Sequence, residues 1–399
     1  MCFDIFYKVN IMDEYVKINI SDLKKIVSKL NIAIEKNKLN PKAGWVELET
    51  IDYKLYLKIA NYDYYIEVYI PFKAENYSNI NRIHATITSD TFVPLISKLD
   101  DDYALFKMQQ NNLIICTSAS EYTFPIIKEM GKVKSIDAIP FNCRNDHVIL
   151  DANDLVSIFQ SNVKGLLDSV FSKEIQQYIY VDNIGAITFT ENIYINNFNN
   201  KLDTNFKFLL NATQAKLFKF FDGFNLIDVY IEKDAEYSTA YKVKFSSELD
   251  NIYFTMVFIV QPMQMCDKFP SIKLRSLANA VSNTHIVIDK KKFEKALQRL
   301  MVFDKKWDIT DMTYSKIEFY ENMLKLISVK NKNYEILDYD SYENSVNHES
   351  IIRFADLLNQ LKAIQGKTLD ISYGDSPAIV INSGRLKQLI PEIRRANTI

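Results

Sequence analysis

The sequence predicts an α+β protein of three similar domains, each made of two strand–helix halves with antiparallel sheets. Three observations predict it. Of 399 residues, 48% are hydrophobic and 25% charged, the balance of a chain that folds around cores rather than staying disordered. The 24 Tyr and 25 Phe favour strands, and only 8 Gly and 9 Pro leave most of the chain to regular elements joined by Asn/Asp turns. One pattern then recurs six times: an alternating strand, a small polar residue able to cap a helix, and apolar residues at helical spacing. Period two gives way to period 3.6 at each cap.

The copies are YVKINISDLKKIVSKLNIAI from Tyr15, IHATITSDTFVPLISKL from Ile83, HVILDANDLVSIFQSNVKGLLDSV from His147, FKFLLNATQAKLFKFFDG from Phe206, HIVIDKKKFEKALQRLMVF from His285 and ESIIRFADLLNQLKAIQG from Glu349. Their spacing predicts helices over 21–38, 89–99, 152–173, 211–222, 289–306 and 353–365. Pro94 suits a first helical turn better than a helix interior. Even-numbered copies are followed by an acidic or Gly break and two strands, as in DDDYALFKMQQNNLIICTS and GKTLDISYGDSPAIVINSG. Odd-numbered copies are followed by longer strands, such as GWVELETIDYKLYLKIANYDYYIEVYI. The repeating unit is therefore a pair of copies. Pair starts at Tyr15, His147 and His285 lie 132 and 138 residues apart, one ordinary domain each. The expected domains are 1–130, 131–279 and 280–399.

The chain carries 48 Lys and Arg against 50 Asp and Glu, a net charge of −2, so no global basic character marks a nucleic-acid partner. The six helical segments nevertheless sum to +9, leaving the strands and loops acidic. Lysine is a good helix former with a solvated face. Six helices in a repeating frame also suit a shared basic surface that meets phosphates without reading bases.

Cys2, Cys116, Cys143 and Cys266 are far apart, with no C-x-x-C pair and no secretory apolar region, which reads as reduced thiols in a cytoplasmic protein. Apolar runs such as Met256–Val260 fall far short of the ~20 residues of a membrane helix. His84, His147, His285 and His348 show no zinc spacing, and His147 and His285 open equivalent strands, which favours a structural role. Asp100, Asp101 and Asp102 follow a helix where other copies place Asp222-Gly223 and Gly366, so a turn is expected there rather than a metal site. No P-loop, G-x-G-x-x-G, G-x-S-x-G or H-E-x-x-H motif is present. No catalytic residue, metal or cofactor is expected.

The order of these segments resembles the bacterial sliding clamp, the beta subunit of DNA polymerase III. KINISDLKKIVSKLNIAIEK resembles the family's first strand and helix, and YTFPI at Tyr122–Ile126 its first-domain ending. DKFPSIKLRSL at Asp267–Leu277 resembles the Phe-Pro phrase between the second and third domains. HIVIDKKKFEKALQRLMVF with SKIEFYENMLKLISVKNKNYE resembles the third-domain start, and DSPAIVINSGRLKQLIPEIRR the closing strands. The likeness covers residues 15 to 395, and its divergence is compatible with a phage, plasmid or second chromosomal copy.

The resemblance implies a DNA polymerase processivity factor: a head-to-tail homodimer forming a ring of six domains of the DNA clamp fold, with helices inside and sheets outside. It implies sequence-independent contact with double-stranded DNA, with Lys24, Lys25, Lys29, Lys164, Lys216, Lys219, Lys291, Lys295, Arg299, Arg353 and Lys362 as the candidate contacts. It further implies that a polymerase and a clamp loader dock by short peptides in a cleft between the second and third domains. Carried over by position, that cleft uses Ile158, Thr190, Tyr194, Ile195, Pro270, Leu274, Ser376, Pro377, Leu389, Ile390 and Pro391. Each Ile, Leu and Tyr among these, taken alone, also reads as an ordinary core residue. Cutting the chain before Leu389 is expected to weaken peptide binding and leave the ring intact. Two departures fall on the cleft. Thr190-Glu191-Asn192-Ile193-Tyr194 stands where the family has a Thr-Asp-Gly-His-Arg-like stretch, and Ile390-Pro391-Glu392-Ile393-Arg394 where it has Met-Pro-Met-Arg and an apolar residue. The rival reading is a clamp-like, non-enzymatic scaffold that binds protein and does not encircle DNA.

Overall fold

The computed structural model describes residues 15–34, 41–72, 83–142, 147–166, 174–190, 192–203, 206–232, 241–261, 263–279, 284–304, 315–328, 332–364, 366–374 and 378–392. The chain runs β1 (Val16–Asn19), α1 (Ile20–Ala33), β2 (Trp45–Ile51), β3 (Lys54–Ala60), β4 (Tyr64–Pro71), β5 (His84–Thr88), α2 (Ser89–Lys98), β6 (Tyr103–Gln109), β7 (Asn112–Cys116) and β8 (Glu121–Pro125). A small hairpin, β9 (Lys128–Glu129) and β10 (Lys132–Val133), leads to β11 (His147–Asp151), α3 (Ala152–Val163), β12 (Tyr178–Asp182), β13 (Gly185–Phe189), β14 (Ile193–Asn197), β15 (Lys207–Asn211) and α4 (Ala212–Lys216). Then come β16 (Leu226–Glu232), β17 (Tyr241–Leu249), β18 (Ile252–Val260), α5 (Met263–Lys268), α6 (Ser271–Ala278), β19 (His285–Asp289) and α7 (Lys290–Asp304). The chain closes with β20 (Ser315–Phe319), β21 (Met323–Ser328), β22 (Tyr334–Asp338), β23 (Ser341–Glu343), β24 (His348–Ile352), α8 (Phe354–Leu361), β25 (Thr368–Ser372), β26 (Ala378–Ser383) and β27 (Leu386–Pro391). All six predicted strand–helix passages are present.

Two compact units result, Met1–Asn153 with Leu217–Val260, and Asp154–Lys216 with Gln261–Ile399. Among the described residues the first unit holds a four-stranded sheet, β1-β6-β7-β8, and an eight-stranded one, β11-β16-β17-β18-β4-β3-β2-β5. The second holds a nine-stranded sheet, β15-β12-β13-β14-β27-β26-β25-β19-β23, and a four-stranded one, β22-β21-β20-β24. Neighbouring strands are antiparallel and alternate; Leu55, Leu57 and Ile59 of β3 are buried while Lys54, Tyr56 and Lys58 face out. The β2–β3 and β17–β18 hairpins turn on two residues with positive φ, Asp52 (47°) and Tyr53 (59°), and Asp250 (53°) and Asn251 (63°). Asp and Asn, with Tyr53, thus serve in this glycine-poor chain where Gly is commonly found.

Local chemistry accounts for the helix limits that differ from the sequence expectation. Asn19 caps α1 by accepting from the Asp22 amide (3.1 Å), and the helix stops at Ala33, where Ile34 turns extended. Helix α2 starts at Ser89, so Pro94 lies in its interior and not in its first turn. The Asp90 carbonyl deprived of its helical donor belongs to an exposed residue, which water can satisfy. Helix α3 ends at Val163, ten residues earlier than its spacing suggests. Gly165 follows, and a Cβ there would lie 2.4 Å from the Tyr194 ring. The fourth predicted helix is α4 followed by a 3₁₀ segment, Leu217–Phe221, whose Leu217, Phe218, Phe220 and Phe221 are all buried. A stripe-forming α-helix cannot bury four of five consecutive side chains, whereas the tighter turn aims them at Phe245 (4.8 Å from Phe218) and Phe254 (5.2 Å from Phe220).

Backbone proximity is tightest at β13. A Cβ on Gly185 would stand 1.9 Å from the Asn196 carbonyl oxygen of β14. Gly185→Ala is therefore expected to separate β13 from β14 and cost about 2–3 kcal/mol, read as a lower urea midpoint with unchanged slope.

Candidate nucleic-acid surface and partner cleft

Helix α7 buries Phe293, Ala296, Leu297 and Leu300, which leaves Lys291, Lys295 and Arg299 at four-residue steps on the exposed side, with Lys292 beside them. Arg299 donates two bonds to Glu335 of β22 (2.7 and 2.8 Å), a pairing that raises the guanidinium pKa and holds the Glu335 carboxyl below its usual range. The Arg299 side chain remains 56% exposed.

On α1 the three lysines differ. Lys24 lies 3.6 Å from Asp100, and Lys25 lies 2.9 Å from Asp250 and 3.6 Å from Asp22, its pKa raised chiefly by the Asp250 hydrogen bond. Lys29 is half-buried, donates to the carbonyls of Phe220 (3.0 Å) and Asp222 (2.6 Å), and sits 4.8 Å over the Phe224 ring. Burial pushes its pKa down. Its ammonium caps the 3₁₀ segment and joins it to α1.

Lys216 and Lys219 are exposed. Helices α3 and α8 contain no base of their own. Lys164 follows α3 and donates to the Lys362 carbonyl, Lys362 follows α8 and donates to Asn359 (2.9 Å), and Arg353 precedes α8, 2.9 Å from Asp356. The basic excess thus sits on α1, α7 and the α4 segment, not evenly on six helices. The predicted helix ends had drawn in lysines that lie beyond the observed ones.

The predicted cleft residues do not come together in one place. Ile195, Leu274 and Leu389 share one buried cluster with Tyr180, Ile187, Leu209, Cys266, Phe269, Ala278 and Val380. Tyr194 and Ile390 point to the opposite side of the same sheet and belong to the larger core of the second unit, as strand alternation requires. Ile158, on α3, lines a separate cavity of about 200 Å³ with Ser161, Asn196, Ala363, Arg385 and Leu386. Thr190 and Pro270 are partly exposed and Pro391 is exposed, while Ser376 and Pro377 lie outside the described residues.

The linker phrase is two short helices, α5 and α6, clamped to the sheet. Phe269 stacks on Tyr180 (4.7 Å) and meets Phe189 edge-on (5.1 Å), and Arg275 makes a two-pronged bond to Asp182 (2.6 and 2.8 Å). Tyr180, Phe269 and Val380 are site-region residues the sequence reading missed. The alternation of Tyr178-Ile179-Tyr180-Val181-Asp182 was the available signal. One expectation is overturned. Leu389 and Ile390 are buried on β27, which pairs with both β14 and β26, so cutting before Leu389 removes the middle of a nine-stranded sheet and cannot spare the fold.

Burial pushes the Cys266 thiol up to about 12. Alkylation mapped by mass spectrometry at pH 8 is expected to leave Cys266 unmodified in the native protein and label it fully in denaturant. The histidines pair with acids, at 3.3 Å (His84–Glu47), 2.8 Å (His147–Asp228), 3.4 Å (His285–Asp370) and 3.0 Å (His348–Glu392). Asp101 accepts from the Ser118 amide (3.1 Å) and hydroxyl, which lowers its pKa and makes the acidic triplet a turn. Among the described residues no group of three His, Cys, Asp or Glu side chains is placed to hold a metal, and no helix is long and apolar enough to cross a membrane.

No family model matches the sequence, and no curated protein does. Solved structures do match it. The beta subunit of the Streptococcus pyogenes DNA polymerase superposes with a TM-score of 0.76 at 16% identity, covering 96% of this chain and 100% of that one. The Thermotoga maritima DNA polymerase III beta subunit gives 0.74 at 14%, and the Bacillus subtilis DNA polymerase sliding clamp 0.72 at 15%, both with the same coverage. This chain therefore has, over 96% of its length, the fold of the bacterial DNA polymerase III beta sliding clamp, at only 14–16% identity to these three structures.

Proposed function

We propose that this chain is a DNA polymerase processivity clamp that acts without catalysis in the cytoplasm, two copies closing head to tail into a ring around duplex DNA. The carrying observation is the likeness to sliding clamps over their whole length. The domains are 1–130, 131–279 and 280–399. Each long sheet joins strands of two consecutive domains, so these boundaries cut across the two compact units.

Sheet arithmetic supports closure. The two four-stranded sheets end in β8 and β22, edges not followed directly by a helix, and Tyr334 and Ile336 of β22 are exposed. Setting β22 of one copy beside β8 of the next makes sheets of eight strands, close to the long ones of eight and nine, and removes both open edges. Lys291, Lys295 and Arg299, with Lys24, Lys25, Lys164, Lys216, Lys219, Arg353 and Lys362, then supply weak, salt-sensitive phosphate contacts that permit sliding. Lys29 contributes through the fold.

A polymerase and a clamp loader dock by short peptides over the Ile195, Leu274 and Leu389 cluster, entered beside Pro270 and Thr190. Leu274→Ser is expected to weaken a polymerase-derived peptide about tenfold in a titration, and unchanged affinity would move the docking site elsewhere.

Negative-stain electron microscopy of the purified protein tests the ring: two-fold rings with a hole wide enough for duplex DNA are expected. Compact monomers at all concentrations, with and without nicked circular DNA, would favour the scaffold reading. The observation on that side is that Lys25, Lys29, Arg299 and Arg353 already have partners within the chain.

A further inference from the structure

The segment after β10 is fixed against the first unit's eight-stranded sheet. The Ile136 amide donates to Glu47 of β2 (2.5 Å), and Thr86 of β5 donates to the Lys134 carbonyl. Beside this strap opens a cavity of about 170 Å³, lined by Trp45, Ala60, Tyr62, Ser135, Ile136 and Asp137. Tyr62 is 77% exposed, an aromatic ring held at the mouth of a pocket instead of in a core. Asp137 is exposed too. Two aromatic side chains with a carboxylate beside them are the groups that recognise an organic cation: the rings offer negative faces and the acid a paired acceptor. The volume admits one side chain.

The solvent-facing side of the same sheet continues this chemistry. Glu47, Lys58 and Glu67 are register partners across β2, β3 and β4. Two residues along lies a second row, Glu49, Tyr56, Tyr69, Tyr253 and Glu248, across β2, β3, β4, β18 and β17. Its rings are 5.2 Å (Tyr56–Tyr69) and 4.5 Å (Tyr69–Tyr253) apart. Rows two residues apart on a strand are spaced by about 7 Å, so an extended chain entering at the cavity would pass over both. Glu47 and Glu49 are buried and bound by Lys58, whereas Glu67 is partly exposed and Glu248 exposed; with Asp137 these two carboxylates make the surface complementary to a basic partner.

We propose that the Trp45–Tyr62–Asp137 cavity binds an arginine side chain carried on an extended basic segment of a partner protein. Arginine is the fitting cation. Its planar guanidinium lies flat against an aromatic ring while its edge donates two bonds to one carboxylate, which an ammonium cannot reproduce. This assignment does not depend on the clamp reading, because every group in it belongs to the first unit.

The test uses Trp45 emission in a full-length Trp307→Phe protein, since these are the chain's two tryptophans. The probes are capped Gly-Ser-Arg-Ser-Gly and its lysine and citrulline counterparts. The arginine peptide is expected to change the emission saturably and to bind at least about tenfold more tightly than either counterpart. Asp137→Asn is expected to weaken it about tenfold, and Tyr62→Ala about fivefold, with circular dichroism confirming that both stay folded. No saturable change, equal affinity for citrulline or lysine, or variants that bind as well as the parent would each overturn the assignment.

Discussion

Reversing Lys24, Lys25, Lys291, Lys295 and Arg299 to glutamate is expected to abolish association with duplex DNA. Five phosphate contacts account for a loss of roughly a hundredfold or more in affinity between 50 and 200 mM salt, and reversal turns each attraction into a repulsion. Fluorescence anisotropy with a short duplex at low salt reads the effect. The parent should bind weakly, steeply dependent on salt and indifferent to sequence; the variant should not bind. Identical isotherms would show that these side chains do not meet DNA. A control separates surface from fold: Lys29→Ala, which removes a buried cap and cation–π contact and not an exposed charge, should lower stability by about 1–2 kcal/mol and leave the salt slope of DNA binding nearly unchanged.

Arg275→Ala is expected to destabilise the second unit by about 2–3 kcal/mol. Asp182 and Arg275 are 11% and 15% exposed, so removing the guanidinium leaves a carboxylate with little water in reach, although the amides of Ile184 and Gly185 still donate to it. Hydrogen exchange should locate the loss in α5 and α6, which this pair and Phe269 hold to the sheet, and Asp182→Asn in the same chain should restore part of it. If exchange over 263–279 is unchanged, the pair does not anchor the linker. Leu274 lies one residue from Arg275 on α6 and loses its fixed place in the cluster with Ile195 and Leu389.

At the proposed cleft the departure from the family phrases has a chemical form. Glu392, one position beyond Pro391, is held by His348 (3.0 Å) and Ser350 (2.5 Å). The carboxylate fixes the end of β27 through polar contacts at a place where the resemblance leads one to expect methionine. The segment Ile193-Tyr194 likewise starts β14, with the Tyr194 ring packed over Gly165.

The sequence by itself determined the six strand–helix passages and the strand-rich segments between them. These rest on local physics: alternation marks a half-buried strand, a polar cap and 3.6-residue spacing mark a helix, and both are written within about twenty residues. The stripe on α7 was legible for the same reason, because residues four apart on one helix share a face whatever surrounds them. What tertiary structure alone decided is which partners meet across hundreds of residues. That Lys29 is drawn inward by carbonyls 191 and 193 residues away, while Lys25 beside it stays at the surface, follows from the 3₁₀ segment packing against α1. That Tyr194 and Ile195 point to opposite faces is local alternation, but that a core covers each face follows from how whole elements pack on the sheet, which no local pattern encodes. Contacts distant along the chain depend on how complete elements pack, and the same apolar side chain reads alike in sequence whether its face meets a core, a cleft or solvent.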